Sequence, residues 1–138
     1  MKKQIIDAVL KHKIIAILRG VPKDKIIPLA EALYDGGIRL IEVPFDMKKK
    51  VSDEETCEMI SMLVNRFQDK MFVGTGTVLT PIQVEMTKKA GGNYIISPDT
   101  SEEVIKKTVQ LGMVSIPGAL TPSEITAAVK YGADFVKG

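Results

Sequence analysis

Short apolar runs alternate along the chain with longer segments whose apolar residues recur at helical spacing. The runs cover residues 14–18, 38–43, 71–78, 94–96, 114–116 and 135–136. They are rich in Ile, Val, Phe and Tyr, which fit a pleated strand. Apart from Arg39 they lack the apolar–polar alternation of half-exposed strands, so they read as buried parallel strands. The segments between them carry helix signals. Ser52 with Glu55 and Thr100 with Glu103 fit the capping box. Thr80-Pro81 and Thr121-Pro122 add proline at the first helical position, where its missing N–H costs nothing. Ile60, Leu63, Val64 and Phe67 share one helix face. Gly36, Gly91, Gly112 and Gly132 stand where a helix ends in the left-handed conformation.

The pattern predicts β-α-β-α-β-α-β-α-β-α-β, six strands and five helices, after a short helix over residues 4–11. Strands alternating with helices imply an α/β fold with one parallel sheet and right-handed crossovers. No linker or low-complexity tract divides the chain, so residues 1–138 read as one domain. The longest loop is 44–50, and its run Lys48-Lys49-Lys50 reads as a solvated surface.

Several strands stay apolar until their carboxyl end and then present a polar group. Arg19 follows Leu18, Glu42 follows Ile41, Thr75 and Thr77 flank Gly76, Ser97 follows Ile96 and Lys137 follows Val136. In parallel α/β folds ligands bind beyond these ends, so the polar groups are expected to converge. A lysine, a carboxylate and an arginine on one apolar rim suit carbonyl chemistry. The amine can form a Schiff base, the carboxylate can move protons, and the arginine can hold a substrate carboxylate with two hydrogen bonds. Polar strand ends that merely stay wet would give the same pattern. Gly74-Thr75-Gly76-Thr77 lacks the Lys-Ser/Thr ending and spacing of a phosphate loop; Gly74 and Gly76 read instead as sites of close backbone packing.

Composition narrows the class. Hydrophobic residues make up 45% of 138 and charged residues 26%, as in a globular domain. Nineteen basic against 17 acidic residues leave +2, too weak a balance to argue for nucleic acid or an anionic membrane as partner. No apolar run reaches transmembrane length, and charged residues break the amino-terminal segment before it could serve as a signal peptide. Cys57 is the only cysteine, which excludes an internal disulfide and a multi-cysteine metal site. A cytoplasmic protein is expected. Cys57, the single histidine His12 and the seven methionines read as ordinary packing or surface residues.

Six stretches carry a resemblance: IIAILRG (14–20), EALYDGGIRLIEV (31–43), VGTGTVLTP (73–81), YIISP (94–98), SIPGALTPSE (115–124) and YGADFVK (131–137). Together, and in this order, the chain resembles the bacterial 2-keto-3-deoxy-6-phosphogluconate / 4-hydroxy-2-oxoglutarate (KDPG/KHG) aldolase family. The resemblance implies a (β/α)8 TIM barrel, a homotrimer, and a class I aldolase needing neither metal nor other cofactor. It implies Lys137 as the Schiff-base lysine and Glu42 as the general acid/base. Arg19 and Thr77 would bind the keto-acid substrate, with Pro98 and Pro117 beside the pocket, and pyruvate would be a product. Some members carry an arginine four residues after the glutamate; here that position is Asp46.

Such a barrel takes roughly 200 residues or more, so this chain is expected to stop after about the sixth strand. Its open edges should then promote association with another chain. The carboxylate of Gly138, one residue from Lys137, should favour the protonated, non-nucleophilic amine and impair the chemistry. Two other readings remain at this stage. One is a keto-acid decarboxylase working through the same iminium; the other is a non-catalytic barrel fragment with an assembly role.

Overall fold

Parallel strands need a crossover between them, and the helical segments provide it. In the computed structural model, which describes residues 1–138, five strands form one parallel sheet. They are β1 (Ala16–Ile17), β2 (Leu40–Pro44), β3 (Phe72–Gly76), β4 (Tyr94–Ile96) and β5 (Val114–Ile116), and they pair in chain order. Helices α2 (Lys23–Asp35), α3 (Asp53–Phe67), α4 (Pro81–Ala90) and α5 (Glu102–Gln110) connect them. Helix α1 (Lys2–His12) precedes β1, and α6 (Pro122–Tyr131) follows β5. No helix is long and apolar enough to cross a membrane.

The sheet has five strands where six were expected. Residues 135–136 run beside β5 without forming a strand, and the only bridge here is an isolated one from Gly118 to the next residue, Lys137. The amides of Asp134 and Phe135 both donate to the Ser115 carbonyl, and the Lys137 amide donates to Pro117. Doubling two donors on one acceptor interrupts the even spacing of a parallel ladder, so no strand develops. A closed barrel is therefore not what this chain displays.

Helix starts follow the expected chemistry with one exception. Thr80 with Gln83 and Thr121 with Glu124 form complete capping boxes, and the Ser52 hydroxyl accepts from the Glu55 amide at 3.1 Å. At α5, however, Ser101 is the cap, accepting from the Val104 amide. The Thr100 hydroxyl instead donates to the Gly118 carbonyl at 2.6 Å, tying the ends of β4 and β5 together. At the helix ends Gly91, Gly112 and Gly132 take positive φ as expected. Gly36 stays right-handed at φ −80°, and the adjacent Gly37 takes the left-handed turn at +102°.

Because the strands pair in chain order, right-handed crossovers put every connecting helix on the same face. The packing follows. Ala16, Leu18, Ile41, Val43 and Val73 pack beneath α2 and α3, and Ile95 and Met113 pack with Val84 and Val104 of α4 and α5. The alternate residues point to the opposite, inner face: Leu40, Tyr94, Ile96, Val114 and Ile116, with Ile15, Phe72 and Phe135 beside them. Ile5 and Ala8 of α1 cover this face at the amino-terminal end of the strands. Both faces are thus apolar, and all five residues of β2 are buried. The exception, Arg39, donates to the carbonyls of Tyr34 and Ile38 at 2.9 Å and lies 3.9 Å from the Tyr34 ring centroid. It sits at the start of β2, away from the strand ends where function is expected.

The inner face is shaped by a missing side chain. A Cβ on Gly74 would stand 2.2 Å from two ring carbons of Tyr94. The fully buried ring lies across that bare backbone, and its hydroxyl donates to the Ile41 carbonyl on β2. Gly74→Ala is expected to lower stability by about 2 kcal/mol through overpacking, measured by urea unfolding. Unchanged stability would show that the ring lies elsewhere.

Candidate active site

Alternation along β2 places Glu42 on the inner face, two residues beyond Leu40. Register sets it opposite Ile17 of β1 and Gly74 of β3. The Leu18 amide donates to the Glu42 carbonyl at 2.9 Å, fixing the end of β1 at this level. The carboxylate leans toward the carboxyl end of the sheet and occupies the space above Gly76. A Cβ on Gly76 would come within 1.5 Å of Glu42 Oε2. Gly74 and Gly76 thus make room for side chains where close backbone packing was expected: one admits an aromatic ring, the next a carboxylate.

Glu42 is only 5% exposed. Burial raises its pKa above the usual carboxylate range, and the positive charges of Lys137 and Arg19 partly offset the rise. Those two charges locate their owners. Arg19 lies two residues beyond the inner-facing, 55% exposed Ile17, on the turn leaving β1. Lys137 lies two residues beyond Phe135, which packs on the inner cluster. Its amide donates to Pro117, and its carbonyl accepts from Ala119, both at 2.9 Å. Lys137 and Arg19 each act by charge on the Glu42 carboxylate, and all three stand at the carboxyl ends of the strands.

The remaining expected residues frame this group. Pro117 is buried and supplies the carbonyl that holds Lys137. Pro98 is exposed, and its carbonyl would lie 2.4 Å from a Cβ on Gly118, so a side chain at 118 would push these loops apart. Thr77 is half-buried just past β3 and takes φ +53°, a left-handed conformation unusual for a β-branched residue. The next amides secure it: Val78 donates to Ile96 at 3.2 Å, and Leu79 donates to the Gln83 side chain at 2.8 Å. Such strain, over-determined by neighbours, is common where backbone meets ligand.

Two recesses flank the charged group. One, of about 220 Å³, is lined by Lys137, Pro98, Asp99, Gly118 and Glu124 among others. The second, about 520 Å³, lies beneath the loops after β1 and β2 and includes Arg19, Phe45, Asp46 and Lys48. Glu42 lines neither; it lies on the inner face of the sheet. The larger recess is therefore a neighbour of the charged group and not its container.

Asp46 has a role that position alone did not disclose. Its carboxylate accepts the amides of Lys48, Lys50 and Val51 at 3.0, 3.1 and 3.2 Å, which holds its pKa below the ordinary value. It is the organiser of the loop after β2. An aspartate two residues before its amide donor is a recognisable turn signal. Tyr94 gave no comparable signal, because its position beside Glu42 depends on register across three strands. Lys49 of the basic run pairs with Asp53 at 2.5 Å on the surface. Cys57 is half-buried; burial, then Asp53 and Glu54, push its thiol up to about 11, so it is a poor nucleophile. His12 ends α1 at the opposite end of the strands. No group of three or more His, Cys, Asp or Glu side chains is arranged to hold a metal ion.

Comparison with known proteins shows the family. Residues 5–137 fit the family profile of KDPG and KHG aldolase. The 2-dehydro-3-deoxy-6-phosphogalactonate aldolase of Escherichia coli is 33% identical over 92% of this chain and 59% of its own length. A KDPG aldolase from Legionella pneumophila, with pyruvate captured as a covalent carbinolamine, superposes with TM-score 0.75 at 30% identity. The alignment covers 87% of this chain and 55% of that one. A porous protein cage designed by fusing symmetric oligomeric domains superposes with TM-score 0.79 at 34% identity, over 88% of this chain and 43% of the cage subunit. The chain spans about 60% of the length of the curated relatives it matches. With matched stretches running from the first helix to the lysine beyond the last, the chain belongs to the KDPG and KHG aldolase family.

Proposed function

We propose that the chain carries the catalytic part of a class I aldolase, within a (β/α)8 barrel. The substrate would be a 2-keto-3-deoxy-6-phospho sugar acid or 4-hydroxy-2-oxoglutarate, and the products pyruvate and an aldehyde. One observation carries the reading: a buried carboxylate, Glu42, feels the charges of Lys137 and Arg19 at the carboxyl ends of the strands. Chain-order pairing with all crossover helices on one face is the arrangement that a barrel continues.

Each group has a task. Lys137 Nζ attacks the substrate keto carbon, and loss of water from the carbinolamine leaves an iminium. Glu42 delivers the proton that lets water leave. As a carboxylate it then takes the proton of the hydroxyl on the carbon being released. The carbon–carbon bond breaks, its electron pair flows into the iminium, and the aldehyde departs. Glu42 returns the proton to the enamine carbon, and hydrolysis frees pyruvate and Lys137. A carboxyl whose pKa burial raises holds its proton more firmly than an exposed one, which suits a group that must give and take back the same proton. Arg19 would hold the keto-acid carboxylate, Thr77 would contact the substrate through its strained turn, and Pro98 and Pro117 would shape the rim around Lys137. A decarboxylase or a purely assembling fragment is not favoured, because the matched relatives are named aldolases.

The reading extends to assembly. The chain would form a homo-oligomer, a trimer on the family pattern, in the cytoplasm. Size-exclusion chromatography with light scattering is expected to give an oligomer, and a stable monomer would oppose this.

Borohydride reduction in the presence of pyruvate should leave a covalent adduct on Lys137, located by peptide mass spectrometry. Lys137→Arg should abolish it. Glu42→Gln should still form it but slow carbon–carbon cleavage by about 10²–10⁴-fold. An adduct on another lysine would remove Lys137 from the role.

Glu42 also links stability to pH. With its pKa raised on folding, the folded chain keeps this proton to higher pH than the unfolded chain. Stability is therefore lost as pH rises from the ordinary glutamate value through the raised one. Glu42→Gln should unfold at higher temperature than the parent at neutral pH. The difference should shrink once the solution is acid enough to protonate Glu42 in both states; a constant difference would contradict the burial effect.

A further inference from the structure

We propose that Tyr94 is a positioning residue for Glu42, forming with its ring and hydroxyl the floor beside which the carboxylate is held. This deepens the aldolase reading and rests on it for Glu42's role as proton carrier.

The geometry is specific. Tyr94 starts on β4, yet its hydroxyl reaches across β3 and donates to the Ile41 carbonyl on β2, with the Phe72 carbonyl 3.4 Å away. That crossing is possible because Gly74 has no side chain to block the ring. The Ile41 carbonyl belongs to the peptide that leads into Glu42, so the bond restrains the backbone from which the carboxylate projects. One pleat further along β3, the carboxylate itself occupies the bare surface of Gly76. Ring and carboxylate thus sit on successive glycines of the same strand. A leucine or phenylalanine would fill the apolar space but could not reach the carbonyl. A fully buried hydroxyl costs free energy unless it is bonded, and this one is bonded to the carbonyl of Ile41, the residue before Glu42.

Few groups compete for control of Glu42. Lys137 approaches from the segment after α6, and Arg19 from the turn after β1. Tyr94 is the titratable group facing it from β4, and its own ionisation is strongly opposed by burial and by Glu42. From β3 come the glycine backbone and uncharged Thr77, and below lie Ile5 and Ala8 of α1. The two cations stabilise the carboxylate; the aromatic floor keeps water from beneath it and so favours the protonated acid. The Tyr94 hydroxyl, by holding the peptide between Ile41 and Glu42, keeps the carboxylate over that floor; without the bond the carboxylate turns toward water and the two cations, which favour the anion.

The test reads Glu42 directly. The full chain, labelled with ¹³C at Glu and Tyr, is titrated by NMR as parent and as Tyr94→Phe. In the parent, Glu42 Cδ should titrate above the ordinary glutamate range, and Tyr94 Cζ should report the same midpoint. In Tyr94→Phe the Glu42 midpoint should fall by about 0.5 pH unit or more toward the ordinary value. Exchange of the pyruvate methyl protons with D₂O should slow about tenfold in Tyr94→Phe, with KM for pyruvate unchanged. An unchanged Glu42 midpoint in a folded Tyr94→Phe would overturn the proposal. So would a parent Tyr94 Cζ blind to the Glu42 titration, a measurement that needs no variant to fold. If the parent neither exchanges nor traps pyruvate, the aldolase reading fails, while the two titrations still decide whether Tyr94 controls Glu42.

Discussion

A carboxylate withdrawn from water within the influence of two cations is the constraint on which the rest of this fold turns. Glu42 is buried on the inner face, and nothing about the apolar core requires it there. An isolated buried charge costs several kcal/mol, so it needs either neighbours of opposite sign or a bound proton. The structure offers both: Lys137 and Arg19 nearby, and a pKa raised by burial. Burial and the two cations thus pull the proton affinity of Glu42 in opposite directions, with burial the larger effect.

The space for this group comes from β3. Where neighbouring strands fill the inner face with Leu, Ile, Val and Tyr, β3 alternates Phe72, Gly74 and Gly76. Each glycine gives up its own packing contribution and accepts a neighbour's side chain, the Tyr94 ring at one and the Glu42 carboxylate at the next. The strand ends are then bound to one another by groups outside the ladder. Thr100 bonds the Gly118 carbonyl, Pro117 bonds the Lys137 amide, and Gln83 holds the amides after Thr77. Short loops stapled in this way hold side chains at fixed separations, which reactions passing a proton between fixed groups require.

Much of this was legible in the chain because it rests on local rules. Strands 94–96 and 114–116 have the bounds that the apolar runs suggested, and the proline-led helices α4 and α6 start where their capping residues stand. Polar residues at strand ends pointed to Arg19, Glu42 and Lys137 because alternation and strand direction are enough to place them. What could not be read depends on partners distant in sequence. Residues 135–136 are as apolar as a strand, but a strand needs a regular ladder, and here two amides share the Ser115 carbonyl. Thr100 has the cap-box spacing, yet its hydroxyl is drawn to Gly118 and the cap passes to Ser101. Tyr94 reads as one more core residue until register brings it across Gly74 to Ile41.

The most direct test of the central claim is a crystal structure of the chain reduced with borohydride in the presence of pyruvate. The account predicts continuous density from Lys137 Nζ to the trapped keto-acid carbon. The Glu42 carboxylate should lie within about 3–4 Å of that group and Arg19 against its carboxylate. Density running from Lys137 toward Asp99 and Glu124, with Glu42 turned away, would contradict it.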